Sequence, residues 1–128
     1  MTVNVLSSII IVFIHWIADF VCQTREMANN KSKSALWLSI HVFTYSFVLL
    51  VGCLLTRTTI FDSLSEIYII SFVVINGLIH FLVDFVTSKI TSYFYKKEDV
   101  YKFFCTVGFD QFLHVTTLLV TLGIVTSR

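Results

Sequence analysis

The sequence has no proline and only four glycines in 128 residues, so nothing in it predicts a flexible linker or a domain boundary. Charged residues make up 13% of the chain, about half the share found in soluble domains. Hydrophobic residues make up 56%, and the mean hydropathy is +0.85. This composition predicts a single membrane domain over residues 1–128, and the few charges give no reason to expect a nucleic-acid partner.

Cysteine is also scarce. Cys22, Cys53 and Cys105 are odd in number, widely spaced and form no C-x-x-C pair. This pattern predicts free thiols rather than a disulfide framework. A metal-ligand role stays open for Cys22 and Cys105, because each lies close in sequence to the polar motifs described below.

Long apolar runs are what the chain has in quantity. Four of them approach the roughly 20 residues that a spanning helix needs, which predicts an all-α bundle of four transmembrane helices at about 3–22, 36–55, 64–95 and 104–126. Ser63 and Glu66 have the spacing of a capping box at the start of the third helix. No basic residue precedes the first run and no small-x-small site follows it, so we expect a helix rather than a cleavable signal peptide.

Basic residues predict the orientation of these helices. The connections between the first and second helices and between the third and fourth lie on one side of the membrane, and Arg57 and Arg128 lie on the other. The positive-inside rule therefore predicts cytoplasmic basic loops with both termini outside. The seven basic residues of these loops are Arg25, Lys31, Lys33, Lys89, Lys96, Lys97 and Lys102.

All four histidines of the chain fall within the apolar runs, together with three aspartates. Side chains four residues apart share a helix face. This spacing occurs in three of the predicted helices, and the second helix contributes a histidine alone. The pairs are His15 with Asp19, His80 with Asp84 and Asp110 with His114, and the single residue is His41. On two of the helices a polar residue lies one further turn along the same face: Gln23 after Asp19, and Asn76 before His80.

The predicted topology places all seven groups at one depth, in the cytoplasmic half of the bundle. An ionised Asp at the centre of a spanning helix costs about 2.5 to 3.5 kcal/mol on insertion scales. Such residues therefore face the bundle interior, find partners and commonly mark function.

Histidine nitrogen and carboxylate oxygen together suit a divalent metal ion, with Zn as first choice and Mn or Fe as alternatives. The predicted ligands are His15, Asp19, His80, Asp84, Asp110 and His114. His41 is predicted to be a ligand or a proton shuttle, and Gln23, Asn76 and Gln111 are expected to orient ligands or substrate. The number of ions is left open by the sequence. The residues suffice for one ion with hydrogen-bonding neighbours or for two ions that share a carboxylate.

These motifs, in this order, resemble a family of bacterial and phage membrane proteins called domain of unknown function 3307. The resemblance rests on the segment from His15 to Gln23, the Asn-Lys-Ser-Lys stretch from Asn30, His41, the segment from His80 to Asp84, and Asp110-Gln111 with His114. It covers essentially the whole chain. It implies a small integral protein of the bacterial inner membrane and assigns no activity.

Three functional hypotheses follow. The first is a metal-dependent hydrolase that acts on an amphipathic or lipid-linked substrate entering from the cytoplasmic leaflet. The second is a small transporter or ion-coupled carrier, for which a homo-oligomer is an open option. The third is a non-enzymatic membrane interaction protein whose polar cluster is a structural network. The sequence contains no phosphate-binding glycine loop, nucleophile elbow or dinucleotide fingerprint.

Overall fold

The computed structural model describes residues 4–62 and 64–127 and is helical, with no strand in those ranges. The first helix, α1 (Val5–Trp16), continues into a π-helical turn (Ile17–Val21). It is followed by the short α2 (Arg25–Asn30), the long α3 (Ala35–Leu55), the short α4 (Arg57–Ile60), and the long α5 (Glu66–Lys96) and α6 (Val100–Thr126). The predicted all-α fold is thus confirmed.

Three of these helices, α3, α5 and α6, are long and apolar enough to cross a membrane. The apolar segment formed by α1 and its π turn is shorter, at Val5–Val21. With a rise of 1.5 Å per residue it reaches about 25 Å, less than the roughly 30 Å of a hydrocarbon core. A fourth span therefore stays a prediction.

The helix bounds differ from the predicted ones at several ends. The last helix begins at Val100 rather than at residue 104, because Asp99 caps it by accepting a hydrogen bond from the Lys102 N–H at 3.0 Å. That bond holds the pKa of Asp99 below its usual value. The third helix begins at Glu66, and the predicted capping box rests on Ser63, which lies outside the described residues. Residues 1–3 and 128 also lie outside them.

The long helices alternate in direction. Ser7 Oγ donates to the Thr59 carbonyl oxygen at 3.2 Å, which places the start of α1 beside α4. At the other end of the bundle, Ser92 Oγ donates to Ser32 Oγ at 2.8 Å. This bond ties the first connection to the last turns of α5, so the two basic connections lie at the same end, as the sequence predicted.

The interior divides into an apolar half and a polar half. The apolar half lies toward α4 and holds the hydrophobic core, and the histidines and aspartates lie beyond it toward the basic connections. Many large apolar side chains point outward, among them Phe43, Leu55 and Phe112. Such a surface is typical of contact with lipid rather than with water. The core includes Ile11, Ile14, Leu49, Cys53, Phe61, Ile69, Phe72, Leu118 and Leu122.

Two glycines let α3 approach its neighbours closely. A Cβ atom at Gly52 would lie 2.6 Å from Ile14 of α1, and one at Gly77 would lie 2.5 Å from Ser46 Oγ of α3. Small residues at such contacts are common where membrane helices pack. The close approach of α5 to α3 occurs one turn from His80, and it brings that histidine within reach of α3.

Candidate functional site

The site begins at the π-helical turn that ends the first helix. The Cys22 N–H donates to the carbonyl oxygen of Ile17, five residues earlier, at 2.9 Å. The turn is therefore wider than an α-helical turn, and Asp19 lies within it, only 3% exposed. Turns of this kind are rare and occur frequently at functional sites. Because the helix ends at Val21, Gln23 lies in the following loop and not on a further helical turn, which corrects the sequence interpretation.

Four buried side chains from the π turn, α3 and α5 converge on one point. The Nε2 atoms of His41 and His80 lie 3.1 Å apart. Asp19 Oδ1 lies 3.2 Å from the first of these nitrogens and 3.4 Å from the second. Asp84 Oδ2 lies 3.2 Å from His41 Nε2 and 3.6 Å from His80 Nε2. We call Asp19, His41, His80 and Asp84 the inner group.

The inner group has the dimensions of a tetrahedral metal site. Zinc binds histidine nitrogen and carboxylate oxygen at about 2.0 to 2.1 Å, and ligands of a regular tetrahedron with those bonds lie about 3.3 Å apart. Five of the six ligand-to-ligand distances, from 3.1 to 3.6 Å, match this spacing, and the sixth, between the carboxylates of Asp19 and Asp84, is within 4.8 Å. Protons on the two nitrogens could satisfy only some of these contacts, whereas one central cation satisfies all four atoms.

A second group lies against the inner group. His114 Nε2 is 3.3 Å from Asp84 Oδ1 and 3.4 Å from Asp110 Oδ1. Asp19, Asp110 and His114 each offer a ligand atom within 4.8 Å of the others. We call Asp19, Asp110 and His114 the outer group. Asp19 belongs to both groups and Asp84 touches both, which is the arrangement that two ions sharing carboxylates require.

The charges of the site balance only when a divalent ion binds or when histidines of the site carry a second proton. Three carboxylates, those of Asp19, Asp84 and Asp110, meet here with neutral or titratable histidines. One fixed positive charge touches them, since Lys31 Nζ donates to Asp84 Oδ2 at 2.8 Å. With all the histidines neutral, two negative charges remain, which is the charge that one divalent ion neutralises. Buried charges left without a partner are strongly unfavourable.

His15 has a different position from the other three histidines. Gln111 Nε2 donates to Asp19 Oδ2 at 2.9 Å and to Asp110 Oδ2 at 3.1 Å, so its carbonyl oxygen faces His15 Nε2, 3.1 Å away. That oxygen can only accept, so His15 Nε2 carries the hydrogen and Nδ1 accepts from the Tyr45 hydroxyl at 3.3 Å. His15 thereby positions Gln111, and its role as a metal ligand stays a prediction.

A cavity of about 670 Å³ opens from the carboxylates toward the basic connections. Asp19, Asp84 and Asp110 line its inner end. Two polar atoms on its walls, Gln23 Oε1 and Ser88 Oγ, are buried and have no hydrogen-bond partner in the described part of the chain. Unpaired buried polar atoms of this kind indicate that water or a ligand completes the site.

The structure brings all seven predicted histidines and aspartates into one network and adds three residues that the sequence analysis did not select. Tyr45 follows His41 by one helical turn, and Thr87, which donates to Asp110 Oδ1, follows Asp84 by three residues. Helical spacing could have indicated both. Lys31 reaches the site only because the first connection folds back over it. Neither Cys22 nor Cys105 belongs to the inner or outer group.

Comparison with known proteins agrees with the resemblance seen in the motifs. No curated protein and no solved structure shows significant similarity to the chain. The family described as "Protein of unknown function (DUF3307)" matches residues 7–128, which include every residue of the inner and outer groups. The chain belongs to the DUF3307 family.

Proposed function

We propose that this protein is a metal-dependent hydrolase of the bacterial inner membrane that acts on an amphipathic or lipid-linked substrate. The observation that supports this proposal most strongly is the geometry of the inner group. Two imidazole nitrogens and two carboxylate oxygens, supplied by the π turn, α3 and α5, surround one point at a spacing that suits metal ligands. In the proposed setting four helices span the bilayer, the basic connections face the cytoplasm, and both termini lie outside.

The remaining polar residues have positions that suit hydrolysis. Four protein ligands fill a tetrahedron, so a divalent ion at this site would polarise water at a fifth coordination position or after one ligand is released. There it would also stabilise negative charge that develops on the substrate. With a single ion in the inner group, the outer group lies next to that ion. Asp110, which lines the cavity, can then accept a proton, and His114 Nε2 beside it can hold or return one. Gln111, bonded to Asp19 and Asp110, keeps both carboxylates in place.

Metal content is the first test of this proposal. Protein purified in detergent without chelator should contain at least one Zn, Mn or Fe ion per chain by elemental analysis. His80→Ala should lose that ion because it removes a ligand of the inner group. Asn76→Ala is the matched control. Asn76 is also buried on α5, one turn before His80. Its amide donates to the Phe72 carbonyl oxygen and to Thr121 rather than to a residue of the inner or outer group, so the structure does not support the predicted orienting role.

The control variant should keep the full metal content of the unaltered protein. A wild-type protein without stoichiometric metal, or a His80→Ala variant that retains it, would remove the hydrolase proposal. Detergent-solubilised protein is needed throughout, since the outward apolar side chains require a hydrophobic solvent.

A structural polar network is the second candidate, and one contact favours it. The ammonium group of Lys31 lies 2.8 Å from Asp84 and partly neutralises the site without any ion. On this view the cluster fixes how the helices pack and binds nothing. The two candidates differ in what they predict for Lys31→Met and for Asp84→Asn, which are considered in the Discussion.

A further inference from the structure

A groove on the lipid-facing side meets the polar cavity. The groove has a volume of about 540 Å³ and lies between α5 and α6. Its walls are almost entirely apolar, and several of its side chains are exposed, including Leu82, Val86 and Phe109. The other groove residues are Val83, Thr87, Ile90, Cys105, Thr106 and Leu113.

Thr87 lies between the two compartments and is the lining residue that they share. Its side chain lines both the groove and the polar cavity, and its hydroxyl donates to Asp110 Oδ1 of the outer group. A molecule that fills both compartments would therefore pass directly beside the outer group. Only an amphiphile has the matching chemistry, with a polar end for the cavity and a hydrocarbon chain for the groove.

The polar cavity is lined by three lysines and several hydroxyl groups as well as by the three aspartates at its inner end. Lys31, Lys33 and Lys96 line it together with Ser88 and Ser92, and Ser32 and Thr91 add further hydroxyls. Ammonium groups and hydroxyls are suitable partners for a phosphoryl group, which offers several oxygen acceptors and up to two negative charges. A neutral headgroup would offer Lys33 and Lys96 no ionic partner in the cavity, whereas Lys31 already contacts Asp84. The Ser88 hydroxyl, 8% exposed and without a partner among the described residues, is free to donate to such a ligand.

We propose that the substrate is a phosphorylated amphiphile whose phosphoryl group binds in the polar cavity and whose hydrocarbon chain lies in the groove between α5 and α6. This proposal rests on the proposed hydrolase function and specifies its substrate class. In the reaction the oxygen of one water forms a bond to phosphorus, and the bond from phosphorus to the ester oxygen breaks. The ester oxygen leaves with one proton of that water as an alcohol, and the other proton stays on the released phosphate.

Binding to the detergent-purified protein, with its metal content measured beforehand, tests the substrate class. The probes are dodecyl phosphate, dodecanol and inorganic phosphate, each titrated at the same concentration of a neutral detergent. Dodecyl phosphate should bind at least about tenfold more tightly than either of the others, since only it fills both compartments. Its affinity should fall as salt is added, because the lysine contacts are screened.

Two pairs of variants separate the compartments. Lys33→Ala and Lys96→Ala should each weaken binding of dodecyl phosphate by about five- to tenfold. Lys97→Ala, adjacent to Lys96 but outside the cavity lining, should leave binding unchanged.

Leu82→Trp should block the groove. It should therefore weaken the binding of dodecyl phosphate and leave the binding of inorganic phosphate unchanged. Leu78→Trp is its control, since Leu78 is equally exposed at 64% and lies one turn away, outside the groove.

Equal affinity for dodecanol and dodecyl phosphate would overturn the phosphoryl assignment. Equal effects of Leu82→Trp and Leu78→Trp would overturn the groove assignment. Tight binding of inorganic phosphate alone would mean that free phosphate, not a lipid phosphate, is the ligand, and would overturn the proposal of an amphiphile. If the protein contains metal and these binding experiments fail, only the proposed substrate class is wrong. If the protein contains no metal, the hydrolase proposal is wrong, whatever the binding experiments show.

Discussion

Chelation of the bound metal should lower the midpoint of thermal unfolding of the wild-type protein by roughly 10 °C. A ligand that binds only the folded state stabilises it by about 4 kcal/mol when its free concentration is about 1,000 times its Kd. The effect should be large here because the inner group brings two carboxylates and two histidines together in a buried site, and without a cation these groups oppose folding. Differential scanning fluorimetry before and after chelation measures the shift.

The controls for this prediction come from the same site. Zinc added back to the chelated protein should restore the midpoint, and magnesium should restore it poorly, because histidine nitrogen is a poor ligand for that ion. His41→Ala should unfold at a midpoint that no longer responds to the chelator. A wild-type midpoint that does not change on chelation would mean that Lys31 and the hydrogen bonds alone hold the site together.

Asp84→Asn should be the most damaging single substitution in the chain, with a loss of about 3 kcal/mol of folding stability and all of the metal. Asp84 contacts the inner group through Oδ2 and His114 through Oδ1, and it is also the partner of Lys31. The substitution therefore removes a ligand and leaves a partly buried ammonium group without a counter-charge. Chemical denaturation and elemental analysis measure the two losses separately.

A second substitution separates the structural role of Asp84 from its metal role. Adding Lys31→Met to Asp84→Asn removes the unpaired charge and should recover most of the stability, but the metal should stay absent. Lys31→Met alone should keep the metal, since all ligands of both groups remain. A structural network predicts the opposite for the single variant, because without a metal ion the Lys31 ammonium group is a main neutralising partner of Asp84, beside any proton on His41 or His114. Loss of stability with no bound metal in Lys31→Met would support that network.

The sequence alone predicted much of the site because helical periodicity acts locally. The pairs His15 with Asp19, His80 with Asp84 and Asp110 with His114 follow from a spacing of four residues. Their common depth followed from the lengths of the apolar runs and the bias of basic residues. The structure places all of these residues, with His41, in one network.

Other features depended on tertiary structure and left no local signal. The π turn at Ile17–Val21 inserts an extra residue into one turn, moves Gln23 off the helix and shortens the first apolar segment. Helical periodicity assumes a regular turn and cannot detect it. The role of Lys31 depends on how the loop between α2 and α3 folds over the bundle. The groove between α5 and α6 depends on helix packing, so the sequence indicated an amphipathic substrate without its binding surface.

X-ray absorption spectroscopy of the metal in the purified protein tests the central claim most directly. The account predicts a first shell of only nitrogen and oxygen at about 2.0 to 2.1 Å, with the outer-shell scattering of two or more imidazole rings. His80→Ala should lose one of those rings or the metal altogether, and Asn76→Ala should leave the spectrum unchanged. A sulfur shell at about 2.3 Å, or a metal without imidazole scattering, would show that the histidines and aspartates do not converge on an ion.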